Sequence, residues 1–213
     1  MYDSRNQCNA IIETATNKLI SVCKKTIIPD GVTSIGSVFS QCDSLTSITI
    51  PDSVTSIEKE AFLSCVALKS IVIGNGVTSI GEAAFGGCDS LTSIVIGNGV
   101  TSIGETAFDD CSSLTSIVVA EGNTVYDSRE QCNAIIHTAT NTLISGCQNT
   151  IIPDSVKSIG EAAFMGCDSL KSITFNGTKM QWNSIELGDE WNCEIPAQIV
   201  RCTDGNVKIE ECW

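Results

Sequence analysis

The chain has 213 residues, of which 42% are hydrophobic and only 5% aromatic, so it can bury a sizeable core of small and branched side chains. Twelve basic residues stand against 25 acidic ones, and the net charge of −13 repels phosphate backbones and anionic lipid headgroups. No apolar run approaches the roughly 18 residues of a membrane span. We therefore expect a globular protein with no nucleic-acid partner and no membrane insertion.

The chain opens on a segment that returns in its second half. "YDSRNQCNAIIETATNKLISVC" begins at Tyr2, and "YDSREQCNAIIHTATNTLISGC" begins at Tyr126. In both copies two apolar segments flank "TATN", which predicts a β-hairpin centred on these four residues. We therefore expect hairpin units over 2–36 and 126–160.

Each predicted hairpin carries a cysteine on both of its strands. A hairpin centred on "TATN" sets Cys8 opposite Cys23 in the first copy and Cys132 opposite Cys147 in the second. Facing residues on antiparallel strands lie roughly 4.5 to 5.5 Å apart. We expect the members of each pair to touch, and the sequence leaves open whether they are free or bridged.

Between the hairpin units the chain repeats a motif of 23 residues. "ALKSIVIGNGVTSIGEAAFGGCD" from Ala67 is followed by "SLTSIVIGNGVTSIGETAFDDCS" from Ser90. The alternation in "LTSIVI" predicts a strand, "VTSIG" predicts a second, shorter strand, and "ETAF" predicts a brief helical or 3-10 turn. One unit cannot bury its apolar face, so we expect stacked units with parallel strands roughly 4.8 Å apart.

The glycines of the repeat do not form a nucleotide-binding loop. Gly74, Gly76 and Gly81 recur one repeat later, and their spacing misses the GxGxxG fingerprint. We interpret them as turn residues, with glycine or asparagine taking a positive φ. In the units with "IPDS", Pro51 and Pro153 supply the turn instead.

Phenylalanine occupies one position in every unit, which is typical of a core. We expect the rings to stack into a spine that binds neither a cofactor nor a nucleic-acid base. They are Phe39, Phe62, Phe85, Phe108 and Phe164. The first unit, "IGSVFSQC", is one residue shorter than "IGEAAFMGC", so we expect a deformed rung near its phenylalanine.

A cysteine also recurs in each unit. Side chains that point the same way from adjacent rungs hold their Cβ atoms about 5 Å apart, beyond the roughly 3.5 to 4.5 Å that a disulfide requires. We expect buried free thiols that pack as small apolar residues. They are Cys42, Cys65, Cys88, Cys111 and Cys167. The chain has no CxxC motif and a single histidine, His137, so we predict neither a metal nor a redox site.

The repeat pattern ends after Phe175. The remaining segment, 176–213, contains all three tryptophans and three of the cysteines. "QIVRCTDGNVKIEEC" predicts a hairpin around Asp204–Gly205. Because the last unit of a solenoid needs a cover with a polar outer side, we expect this segment to form a C-terminal cap.

The unit C-x-x-L-x-x-I-x-I-P-x-x-V-x-x-I-x-x-x-A-F resembles the BspA-like leucine-rich repeat family, and "YDSR", "CNAII", "FNGTKMQWNSI" and "CTDG" extend the resemblance over nearly the whole chain. The resemblance implies a β-rich, right-handed α/β solenoid with surface display, adhesion and protein binding. It carries over no catalytic residue and no cofactor. We expect one domain over 1–213, with repeats over 1–175 followed by the cap.

The start of the chain bears on its location. Met1 stands where Val125 stands in the second hairpin unit, so the chain begins partway through a unit. We expect an upstream strand and a signal segment that this sequence lacks, as in a cell-surface or secreted protein. Free thiols suit a cytoplasmic protein better, so an intracellular structural scaffold is the alternative.

The repeated carboxylates raise two further alternatives. Glu82, Glu105 and Glu161 share one repeat position, which predicts a solvated row of charge and not the paired acid and base of an enzyme. Asp109 and Asp110, together with Glu105, offer oxygen ligands for calcium, but the usual calcium-loop pattern is absent and a solubilising face explains them. We therefore predict a non-catalytic protein.

Two outward columns remain on the predicted sheet once the inward positions are assigned to the core. They are Ser47, Ser70, Ser93, Ser116 and Ser172, and beside them Thr49, Val72, Val95, Val118 and Thr174. An exposed apolar strip flanked by hydroxyls is typical of a protein-binding surface, whereas the high β-propensity of valine is the alternative explanation. We predict that a host or microbial protein binds the face formed by Ser70, Val72, Ser93, Val95, Ser116 and Val118.

Overall fold

The computed structural model describes residues 2–3, 10–22 and 26–209. This part of the chain contains short strands, 3-10 turns at Ser37–Phe39 and Arg129–Gln131, and one helix, α1 (Lys179–Trp182). In chain order the strands are β1 (Tyr2–Asp3), β2 (Ile11–Glu13), β3 (Lys18–Ser21), β4 (Ser34–Ile35), β5 (Ser47–Ile50), β6 (Ser56–Ile57), β7 (Ser70–Ile73), β8 (Ser79–Ile80), β9 (Ser93–Ile96), β10 (Ser102–Ile103), β11 (Ser116–Val119), β12 (Tyr126–Asp127), β13 (Ile135–His137), β14 (Thr142–Ser145), β15 (Ile151–Ile152), β16 (Ser158–Ile159), β17 (Ile173–Phe175), β18 (Glu186–Leu187), β19 (Ile199–Cys202) and β20 (Gly205–Lys208).

The strands form four sheets, two before the second hairpin unit and two that begin within it. The longer repeat strands pair in parallel in the order β11-β9-β7-β5, and the shorter ones join the first hairpin in the order β1-β2-β3-β4-β6-β8-β10. Beyond them lie β12-β13-β14-β16-β18 and β15-β17-β19-β20. The predicted stack of parallel strands is confirmed, but it is interrupted at the second hairpin unit.

Alternation along the longer strands directs every second side chain into the core. In β7, Ile71 and Ile73 are buried while Ser70 and Val72 are exposed, and β5 repeats the pattern. Because equivalent residues pair in register, with Ile71 opposite Ile94, the buried side chains of successive units stack on one another. The buried residues form two clusters that meet at the second hairpin unit.

The glycines of the "GNG" turns do not take the positive φ that the sequence suggested. Neither Gly76 nor Gly99 has a positive φ. They are required because the units approach closely: a Cβ on Gly76 would lie 1.8 Å from the carbonyl oxygen of Asp52, and one on Gly99 would lie 2.0 Å from that of Asn75. The prediction of a positive φ was therefore wrong. These glycines are required because they leave room for the backbone of the neighbouring unit.

The outer segment of each regular unit forms turns with two left-handed residues, and no continuous helix. In the third repeat these residues are Thr106 (φ 54°) and Asp110 (φ 55°), and the corresponding positions of the other regular units are also left-handed. Backbone amides of this segment donate to the next unit, as from Phe85 to Ala107 (2.9 Å). Bonds between units therefore replace the bonds within a helix that "ETAF" would otherwise form.

The stacked phenylalanine spine is confirmed for four of the five rings. Centroids are 4.8 Å apart for Phe39 and Phe62, 5.2 Å for Phe62 and Phe85, and 5.6 Å for Phe85 and Phe108, with nearly parallel planes. The shorter first unit therefore keeps its ring in the stack. Phe164 does not join the stack, which corrects the sequence prediction.

The second hairpin unit accounts for the position of Phe164. Gly146 of this unit lies directly against the Phe164 ring, because a Cβ on this glycine would be only 2.4 Å from the ring. Glycine therefore takes the place that a phenylalanine ring of the preceding unit would occupy in the stack. On its other side Phe164 packs edge-on against Trp191 at 6.3 Å. The tryptophans of the terminal segment thus continue the aromatic core.

The ladder cysteines are free, as predicted, and all except the half-buried Cys42 are buried. The thiols of Cys65, Cys88 and Cys111 also donate hydrogen bonds to the preceding unit. The Cys65 thiol donates to the carbonyl of Phe39 (3.0 Å) and the Cys111 thiol to that of Phe85 (3.3 Å). Burial raises the pKa of the Cys111 thiol to about 12. These thiols therefore bridge neighbouring units, and the Cys111 thiol is unreactive at neutral pH.

Alkylation of the native protein tests this arrangement. With iodoacetamide at pH 8, we expect Cys202, which is half-buried, to react well before Cys111 and Cys167, because burial raises the pKa of both of the latter to about 12. Peptide mass mapping after a time course measures the order, and protein unfolded in urea serves as the control in which all the free thiols react together. Early modification of Cys111 in native protein would show that the thiol is not enclosed.

Both hairpin units contain the expected antiparallel strands, but a bulge shifts the register. In the second unit His137 pairs with Thr142 as predicted, whereas Ile135 pairs with Ser145, one residue further than the prediction. Cys132 and Cys147 are buried free thiols, and their sulfurs donate to the carbonyls of Ala134 and Asn133 respectively. Cys8 and Cys23 lie outside the described residues.

The terminal segment continues the sheets before it closes them. Strand β18 pairs in parallel with β16, β19 pairs in parallel with β17, and β19 and β20 form a hairpin whose loop is Thr203–Asp204. Helix α1 is capped by Thr178, whose side chain forms a reciprocal capping box with Gln181. Cys193 is disulfide-bonded, a feature that the sequence analysis did not predict.

Candidate protein-binding face

The three valines of the predicted strip lie on adjacent parallel strands of one sheet. Val95 pairs with Val72 on one side and with Val118 on the other, and the side chains are 40%, 52% and 44% exposed respectively. Their isoleucine neighbours along each strand are buried, so the strip belongs to the outer face of the sheet. The side chains thus lie where the sequence predicted, and binding by this face stays a prediction.

The serines beside the valines form a second row on the same face. Ser47 and Ser70 are exposed, and Ser93 and Ser116 are half-buried. The two columns do not extend across five units as predicted. Thr174 belongs to the separate sheet that contains β15 and β17, because the second hairpin unit intervenes. The continuous face is therefore limited to β5, β7, β9 and β11.

A groove of about 270 Å³ lies at one end of this face. It is lined by Thr26 and Ile27 together with Thr49, Ser70 and Val72 and their neighbours. Ile27 is 69% exposed and adds an apolar side chain to the groove. Ile27 was not among the predicted site residues because its segment belongs to a hairpin unit, although "TII" follows the same inward-outward alternation as the repeat strands.

The repeated glutamates occupy the exposed outer segment of the units. Glu82, Glu105 and Glu161 are all exposed. Glu82 forms an ion pair with Lys59 (2.7 Å) across the boundary between units. The row is therefore open to solvent, as the repeat position indicated, and partly neutralised by a neighbouring lysine.

Asp109 departs from the predicted solubilising face. One of its carboxylate oxygens, Oδ2, is shielded from solvent and makes no hydrogen bond. Burial and the neighbouring charge of Asp110 raise the pKa of Asp109 to about 7. The two aspartates therefore have different environments despite being consecutive in the chain.

Among the described residues, no group of three or more His, Cys, Asp and Glu side chains is arranged to hold a metal ion. His137 accepts or donates a hydrogen bond with Thr140 (3.0 Å) and packs edge-on against Tyr126 at 5.7 Å. These contacts give the histidine a packing role in the second hairpin unit.

The family model "BspA type Leucine rich repeat region" matches residues 14–134 and 142–196 in six copies. These matches cover the repeats and part of the terminal segment, and they leave out strand β2 of the first hairpin and strand β13 of the second. The chain belongs to the BspA-type leucine-rich repeat family. No curated protein matches it.

Solved structures similar to this BspA-type chain are themselves leucine-rich repeat proteins or antigens. A leucine-rich cell surface protein from Faecalibacterium prausnitzii A2-165 is 20% identical, with 95% of this chain and 78% of that chain covered and a TM-score of 0.43. The leucine-rich repeat protein of T. pallidum is 20% identical, with 91% and 85% covered and a TM-score of 0.47. The pneumococcal vaccine antigen PcpA is 16% identical, with 94% and 69% covered and a TM-score of 0.48.

The described part of this BspA-type chain has no helix that combines the length and the apolar character needed to cross a bilayer.

Proposed function

We propose that this BspA-type repeat chain is a non-catalytic protein-binding module of a cell-surface or secreted protein. The observation that carries the proposal is the strip formed by Val72, Val95 and Val118, which is apolar, exposed and contiguous across three strands. An isolated exposed valine needs no explanation, whereas a continuous apolar patch with a polar border has the composition of a protein interface.

The shape of the face supports a protein ligand rather than a small molecule. The four strands β5, β7, β9 and β11 are held in register by backbone bonds and by the buried core beneath them, so the face is rigid before binding. A rigid surface loses little conformational entropy on association. The groove beside Ile27 gives the otherwise flat strip a recess for an apolar side chain of the partner.

The cysteines bear on the compartment. Cys193 is disulfide-bonded, which supports an oxidising environment. The ladder thiols of Cys65, Cys88 and Cys111 remain free because each is buried and bonded to a carbonyl of the preceding unit. Free thiols of this kind persist outside the cell because oxidants do not reach them, so they do not argue against surface display.

Replacing all three strip valines with threonine tests the proposal. Threonine keeps the branched Cβ that suits a strand and exchanges one methyl for a hydroxyl, so the melting temperature is expected to stay within a few degrees. Three buried methyls contribute roughly 0.8 kcal/mol each at an interface, so binding is expected to weaken by at least tenfold. Wild type and variant are compared on an array of extracellular host and microbial surface proteins, and affinities for the hits are measured by surface plasmon resonance.

The matched control removes exposed apolar surface from the terminal segment. Met180 and Leu187 are 81% and 45% exposed, and changing both to threonine leaves the strip intact. We expect this control to bind as wild type does. The proposal is contradicted if the array shows no hit for wild type, or if the strip variant and the control bind alike.

A further inference from the structure

The interruption at the second hairpin unit leaves a partly open cavity of about 270 Å³. We call it the seam cavity. One wall is the outer segment of the third repeat, including Ala107, Phe108 and Asp109, and the facing wall includes Ile144 and Ala162. Its position is independent of the valine strip, because none of the strip residues lines it.

A difference in chain length creates the seam cavity. In the third repeat seven residues separate Ile103 from Cys111, whereas in the second hairpin unit only three separate the equivalent Leu143 from Cys147. The hairpin unit therefore has no segment to cover the outer turns of the third repeat. The space that such a segment would fill is left as the cavity.

Backbone hydrogen bonding shows the same interruption. In the regular array the N–H of Phe85 donates to Ala107 and that of Phe62 donates to Ala84, at 2.9 and 2.8 Å. Within the described part of the chain, the equivalent N–H of Phe108 makes no such bond. The wall of the seam cavity is thus the edge at which pairing between units stops.

Asp109 places a carboxylate in this wall, whereas the other units have no carboxylate at the equivalent position. The residue after the phenylalanine is Ser40, Leu63, Gly86 or Met165 in the other units. Oδ2 of Asp109 is shielded from solvent and accepts no hydrogen bond, and no ion pair of the described residues involves this side chain. A partly buried carboxylate without a counter-ion is unfavourable, so a cation that enters the cavity beside Asp109 is stabilised there.

The other charged groups near Asp109 are acidic. Asp110 adjoins it in sequence, Glu105 and Glu161 line the cavity with it, and the Cys111 and Cys167 thiols lie close enough to sense its charge. Such a site attracts a cation and repels an anion.

We propose that the seam cavity binds a primary ammonium group on a short alkyl chain, with the Asp109 carboxylate as its counter-ion. The ammonium pairs with the Asp109 carboxylate in the cavity wall, and the alkyl chain packs against Ile103, Ile144 and Ala107. A metal ion is not the occupant, since no cluster of three ligands exists among the described residues. The same chemistry belongs to a free alkylamine and to the lysine side chain of a partner protein.

Titration with n-butylamine, followed by two-dimensional amide NMR, tests the proposal. At pH 8 we expect saturable shifts confined to residues 103–109, 144–145 and 160–162. Binding of n-butanol, which has the same chain without the charge, is expected to be at least tenfold weaker. The nearly isosteric Asp109→Asn variant is expected to bind n-butylamine at least tenfold more weakly. The control Glu82→Gln removes an exposed carboxylate at the equivalent position of the preceding repeat, outside the cavity, and is expected to change binding less than threefold.

The pH dependence gives a second readout. Asp109, with its pKa near 7, is mostly protonated at pH 6 and mostly ionised at pH 8, while the amine stays charged at both values because its pKa is about 10. The cysteine thiols Cys111 and Cys167, with pKa values of about 12, remain neutral throughout. Binding of n-butylamine is therefore expected to strengthen about tenfold from pH 6 to pH 8 in wild type, and not in Asp109→Asn.

A lysine-containing pentapeptide with blocked ends distinguishes the two sources of the ammonium group. Tighter binding of the peptide than of n-butylamine indicates a partner's lysine, and tighter binding of n-butylamine indicates a free amine. The proposal is overturned if n-butylamine causes no shifts at millimolar concentration and a 100-fold excess over the protein. It is also overturned if n-butanol binds equally well, or if Asp109→Asn binds as wild type does.

Discussion

Replacing Phe85 with alanine is expected to lower the free energy of unfolding by about 3 to 5 kcal/mol. The ring is fully buried and stacks between Phe62 and Phe108, at 5.2 and 5.6 Å. Its removal loses the transfer free energy of a large apolar side chain and leaves a cavity between two rings that the backbone bonds hold in place. Urea denaturation followed by circular dichroism measures the change.

Position along the spine provides the control. Phe39 is equally buried but stacks against only one ring of the spine, Phe62, at 4.8 Å. We expect Phe39→Ala to cost less than Phe85→Ala, and Phe85→Leu, which keeps much of the volume, to cost less than either. A Phe85→Ala protein with an unchanged denaturation midpoint would show that the spine does not support the fold.

Replacing Gly76 with alanine is expected to destabilise the protein by about 3 kcal/mol. The added Cβ would lie 1.8 Å from the carbonyl oxygen of Asp52 in the preceding unit, and backbone atoms cannot move aside as a flexible side chain can. The turn must therefore separate from its neighbour, which breaks hydrogen bonds such as that from the Gly74 N–H to Ile50 (3.0 Å). Thermal and urea denaturation of the variant measure the loss.

Gly122 separates this effect from backbone strain. It has a positive φ of 92°, but the nearest atom to an added Cβ is 3.9 Å away. Gly122→Ala therefore introduces strain without overlap, for which about 1 kcal/mol is expected. If Gly122→Ala proves the more destabilising of the two substitutions, close approach between units is not the reason for glycine in the "GNG" turns.

The valine strip could be predicted from the sequence because strand alternation assigns inward and outward positions without any knowledge of the neighbours. Val72 and Val95 follow from the same rule that buries Ile71 and Ile94. The groove beside Ile27 could not be predicted in this way, since its depth depends on how the first hairpin unit lies against β5 and β7. The seam cavity could not be predicted from the sequence either, because its walls come from segments that are distant along the chain.

The amino-acid sequence alone determined the repeat, its strands and its core positions. A 23-residue period and a two-residue alternation are local patterns, and stacking copies of one unit brings identical residues such as Phe62 and Phe85 together. Tertiary structure decided what happens where the copies differ. The shortened outer turn of the second hairpin unit diverts Phe164 to Trp191, divides the sheets and leaves Asp109 facing a cavity. Each of these outcomes depends on spacing between units, which the one-dimensional pattern does not contain.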